Sequence, residues 1–140
     1  MILARWGRHA EAIAVLRERE PALAPAPRAV AIAHRLYFEE KREECLEMTD
    51  RALAAWSDPE GRYNLALNLV AMNESKRALA VLTNCLDDGF IHYRQLKRDP
   101  IFDPVRPLPE FGTLVERAAA KYQKACIAFV DAAGQRLFGL

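Results

Sequence analysis

Residues 74–89 read ESKRALAVLTNCLDDG, and the spacing within this stretch decides the fold. A polar entry leads into Ala78, Leu82 and Cys85, with Val81 and Leu86 beside them. Steps of three and four residues put these side chains on one face of a helix. Gly89 follows the last turn, where a residue free to adopt a left-handed backbone ends a helix.

The same arrangement recurs toward the N-terminus, in KREECLEMTDRALAA (41–55) and GRHAEAIAVLRERE (7–20). The small residues Ala12, Cys45 and Ala78 are each 33 apart, and four positions later come Leu16, Thr49 and Leu82. Thr49 is the polar exception. Ahead of the second and third copies, RAVAIAHRLYF (28–38) and GRYNLALNLVAM (61–72) carry a further apolar stripe. There Ala33 and Ala66 are 33 apart, as are Leu36 and Leu69. Two helices per period make a helical-hairpin repeat. Boundary signals agree: Asp58-Pro59-Glu60 is a capped helix start, Ser75 is placed to cap the next helix, and the prolines of EPALAPAP (20–27) separate the first hairpin from the second.

This pattern resembles the tetratricopeptide repeat (TPR) family, whose helix–turn–helix units recur about every 34 residues. The likeness covers roughly residues 1–90, about two and a half repeats, although no copy carries the family's full aromatic–Leu-Gly–Tyr signature. It implies an all-α, right-handed solenoid of hairpins. MILARW supplies barely two turns before Gly7, which fits a piece of a longer array in which Ile2, Leu3 and Trp6 pack on a preceding unit. The expected organisation is hairpins over 1–89, a proline-rich capping segment over 90–108 and a C-terminal amphipathic helix over 109–140, forming one domain.

Composition supports the fold class. Alanine and leucine outnumber valine, isoleucine and threonine by well over two to one, and no alternating strand pattern is present. With 51% hydrophobic and 28% charged residues, the chain is globular. No apolar run approaches the ~20 residues of a bilayer span. A net charge of +1 provides no field to attract nucleic acid or an acidic membrane. The expected location is the cytoplasm. Cys45, Cys85 and Cys126 are scattered and odd in number, which points to buried, reduced thiols rather than disulfides.

The stretch LKRDPIFDPVRPLPEF (96–111) holds four prolines and two Asp-Pro pairs. Each Asp-Pro reads as a cap followed by the start of a short helical turn. Phe90, Tyr93, Leu96, Ile101, Phe102, Val105, Leu108 and Phe111 form an apolar series too dense for a solvated linker. It is similar to the closing segment of many bacterial TPR proteins, which implies a cap on the last hairpin. Arg94, Lys97, Arg98 and Arg106 raise an anion site as the other reading, but acids are interleaved and there is no glycine run to wrap a phosphate. From Pro109 the pattern predicts a helix reaching Leu137, with an apolar line through Phe111, Val115, Ala118, Tyr122, Cys126, Phe129, Ala133 and Leu137. One hairpin covers only its first half.

No metal-ligand cluster, nucleophile elbow, P-loop or dinucleotide fingerprint appears, so neither catalysis nor a cofactor is expected. The acids Glu39, Glu40, Glu43, Glu44 and Glu47, interleaved with Lys41 and Arg42, read as a solvated turn and helix face. The resemblance implies a protein or peptide ligand in the concave groove lined by first helices, here Val30, His34, Tyr37, Phe38, Tyr63, Asn64, Leu67 and Val70. Tyr37, Phe38, Tyr63 and Leu67 would anchor an apolar segment. His34 and Asn64 would orient it. The family's carboxylate clamp is not supported, since the counterpart of Asn64 one period earlier is Ala31. The expected function is therefore a non-catalytic interaction scaffold within a larger bacterial signalling or regulatory protein. The alternative is a self-association module that dimerises through Phe129, Val130, Ala133 and Leu137, its groove filled in cis by the last helix.

Overall fold

The structure, a computed structural model, describes residues 7–132. Among these there is no strand, and seven α-helices follow one another: α1 (His9–Arg19), α2 (Pro25–Phe38), α3 (Arg42–Ala55), α4 (Pro59–Ala71), α5 (Ser75–Asp87), α6 (Tyr93–Arg98) and α7 (Pro109–Asp131). Single 3-10 turns lie at Glu20–Ala22 and Pro100–Phe102.

Local chemistry sets the helix ends. Three helices, α2, α4 and α7, start on a proline, whose fixed φ suits a first turn and whose missing N–H has no partner to lose. At α4 the Asp58 carboxylate also accepts a hydrogen bond from the Gly61 N–H at 2.7 Å. Ser75 does not cap α5. It is the first helical residue, Glu74 holds the capping position, and no side chain bonds to the free amides there.

The 33-residue period is written into the backbone. Gly7, Glu40 and Asn73, each 33 apart, have φ of 72°, 59° and 61°. After α2, the Lys41 N–H bonds to the Leu36 carbonyl at 3.0 Å; after α4, the Glu74 N–H bonds to the Leu69 carbonyl at 2.8 Å. This is a left-handed stop that satisfies carbonyls otherwise orphaned at a helix end. Gly89, at φ 93°, closes α5 the same way, with the Phe90 N–H on the Cys85 carbonyl at 2.9 Å.

The most extensive packing joins α2 to α3 and α4 to α5; α2 also touches α1 and α4, and α3 touches α4. Ala33, Ala66, Cys45, Ala52 and Ala78 are fully buried, the small side chains that let helices approach closely. Leu36, Leu69, Leu82 and Leu86 fill the space between them. Thr49, the polar exception in the repeat, is fully buried one turn along from Cys45.

Beyond α5 the irregular segment turns inward. Phe102 and Val105 are fully buried in the main core beside Leu96, Phe111 and Leu114. The Asp99 carboxylate accepts from the Ile101 N–H at 3.2 Å, as an Asp-Pro turn should, whereas Asp103 instead pairs with Arg106 at 2.7 Å. Arg106 then donates to the carbonyls of Lys97 (2.8 Å), Asp99 (2.9 Å) and Leu96 (3.3 Å), tying the end of α6 to the turns after it. Its guanidinium is thus committed to backbone. Helix α7 packs on α5 and α6 through Phe111, Leu114 and Ala118. Cys45 and Cys85 are buried as expected, but Cys126 is exposed, because α7 has by then passed the elements that cover it.

Candidate binding groove

One groove of about 510 Å³ lies between α4 and the segment that follows α5. Tyr63, Asn64 and Leu67 form its α4 wall, one turn of the helix. The opposite wall brings His92, Gln95, Asp99, Pro100 and Ile101. Proline fixes this second wall: Asp99 and Pro100 end α6 and turn the chain so that Ile101 faces the groove while Phe102 enters the core.

Aromatic rings floor one end. Tyr63 meets His92 edge-on at 4.7 Å and Phe90 at 5.6 Å, and the Phe90 and His92 rings lie 3.9 Å apart. Burial lowers the His92 pKa below its ordinary value, so the ring is neutral near pH 7. Asn64 donates from its amide nitrogen to the Glu60 carbonyl at 3.0 Å, which leaves its carbonyl oxygen available as an acceptor. Apolar contact with two carboxamides at the rim suits an apolar segment that carries its own backbone polar groups.

The eight groove residues expected from sequence do not form one surface. Tyr63, Asn64 and Leu67 converge. Val30 packs into the seam with Ala33, Ala52 and Leu65, and Val70 is fully buried. His34 is buried too, bonded to Asn68 of α4. These three are core, because the stripe on each first helix serves its neighbours before it serves a ligand. Half-buried Tyr37 lines a separate depression with Glu40, Arg42, Met72 and Asn73, while Phe38 stacks against His9 at 5.6 Å. Glu39 is no solvated acid: it receives Arg17 at 2.8 Å and Arg35 at 3.0 Å. Burial opposes its ionisation, but these two bonds outweigh burial and hold its carboxyl below the usual range.

His92, Gln95, Asp99, Pro100 and Ile101 were not expected in the site. The proline density marked the segment as ordered, but no local pattern says which helix it will face. On α7, Phe129 and Val130 are exposed, and Ile127 joins them; Ala133 and Leu137 lie outside the described residues, as do Ile2, Leu3 and Trp6. The described part of α7 touches α5 and α6 and does not enter the groove, so it provides no filling in cis.

Among the described residues no group of three or more His, Cys, Asp or Glu side chains could hold a metal ion, and no helix is long and apolar enough to cross a membrane. Comparison with family models, with characterised proteins and with solved structures finds no match to the chain.

Proposed function

We propose that the protein is a non-catalytic, TPR-like helical-repeat scaffold of the cytoplasm that binds an apolar peptide or helix in the groove between α4 and the capping segment. The carrying observation is the convergence of Tyr63, Asn64 and Leu67 with His92 and Ile101 around about 510 Å³ of open space. What supports the repeat reading is the left-handed residue at Gly7, Glu40 and Asn73, one per period. Binding would proceed by desolvating Leu67 and Ile101 while Asn64 and Gln95 pair with backbone groups of the ligand. The proposed partner is another protein, within a bacterial signalling or regulatory assembly.

Leu67 and Ile101 are half-buried, so charge can be introduced there without opening the core, unlike at Tyr63. An array of apolar peptides probed with the wild-type chain and with Leu67→Asp/Ile101→Asp tests the reading. Peptides held by the wild type should be lost by the variant. Identical binding by both would place the ligand elsewhere.

A further inference from the structure

The outer half of α7 leaves the body of the protein. Every described residue after Tyr122 is exposed, Ile127 at 55% and Val130 at 54%. Phe129 continues the stripe that buries Phe111 and Ala118 earlier in the helix. Ile127 and Val130 lie about a quarter-turn or more away from that stripe, on a second apolar strip. There, with Cys126 and Asp131, they line a shallow depression of about 230 Å³. Lys124 and Asp131 stand seven residues apart along one edge of the strip, and neither has an ion-pair partner among the described residues.

We propose that this strip is the contact surface for a second copy of the chain, the two helices running antiparallel about a twofold axis. One register satisfies both apolar and charged groups. When Ile127 of each copy stacks on the partner's Val130, helix periodicity sets Lys124 beside the partner's Asp131, and symmetry repeats both contacts. A parallel pair would place Lys124 and Asp131 against Ala119 and Cys126, leaving both charges unmatched. The contact uses each surface once and closes as a dimer. Its short length makes the association reversible and dependent on concentration rather than obligate.

Sedimentation equilibrium on the full chain tests this with wild type, Lys124→Asp, Asp131→Lys and the double swap, each checked for unchanged thermal melting. Wild type should dimerise with rising concentration. Each single swap replaces two attractive pairs with two repulsive ones and should weaken the dimer about tenfold. The double swap should restore it, and Val130→Asp should abolish it. A wild-type chain that stays monomeric, including one that instead sediments with anionic vesicles, overturns the proposal. So does a double swap no stronger than either single.

Discussion

The Asn68 amide nitrogen lies 2.9 Å from Nδ1 of His34, in the buried seam between α2 and α4. A neutral ring accepts that bond; a protonated one would carry its charge into the core. Burial pushes the His34 pKa down to about 4, against a weaker upward pull from the Asn68 carbonyl oxygen, which lies 3.2 Å from the same nitrogen and could accept from a protonated ring. The folded state therefore holds fewer protons than the unfolded state between pH 4 and 6.5, and stability rises with pH across that window. His34 should cost the fold roughly 3 kcal/mol as pH falls from 6.5 to 4. Urea midpoints across this range should drop for wild type and flatten for His34→Gln, which keeps a hydrogen bond without titrating. His92 shifts the same way, so some slope should survive.

Gly61 lies under the Trp56 ring. A Cβ built there would meet Trp56 ring carbons at 2.6 and 2.8 Å. In an open helix Gly→Ala would gain about 1 kcal/mol. Here overpacking, typically 1–3 kcal/mol, should win and make Gly61→Ala destabilising. Pairing it with Trp56→Leu should recover part of the loss, seen as non-additivity in chemical denaturation.

Glu40 and Asn73 occupy equivalent left-handed turns with unequal ease. Asparagine tolerates that backbone, whereas glutamate is strained in it. Glu40→Gly should raise stability by about 0.5–1 kcal/mol and Asn73→Gly by less. Calorimetry on the two variants would settle the order. A larger gain at Asn73 would contradict the strain argument.

Arg106 makes three hydrogen bonds to backbone carbonyls and one to Asp103. Arg106→Ala should cost about 2–3 kcal/mol and lower Tm by about 5–10 °C. Lysine cannot reproduce the planar fork and should rescue little of it. Melting indistinguishable from wild type would show that the arginine does not hold the segment.

Helix content, the 33-residue period and the small residues at close approaches were legible because each depends on local spacing. Ala33, Ala66, Cys45 and Ala78 sit where that spacing puts them. What arrives from elsewhere was not legible. Whether Val30 faces a ligand or Ala52, or Cys126 faces a core or water, depends on where another element ends. The groove shows the same limit: its α4 wall was anticipated, while the wall from α6 and Ile101 depends on how Pro100 turns the chain.

Among the described residues, helix α1 holds to its neighbour through buried Ala12, half-buried Ile13 and Leu16, the His9–Phe38 ring contact and the Arg17–Glu39 ion pair. With only one buried side chain, it is expected to open before α4 and α5, below the free energy of global unfolding. Concentrated salt should ease that opening by weakening the ion pair, so that α1 amides trade hydrogen for deuterium while those of α4 and α5 stay protected.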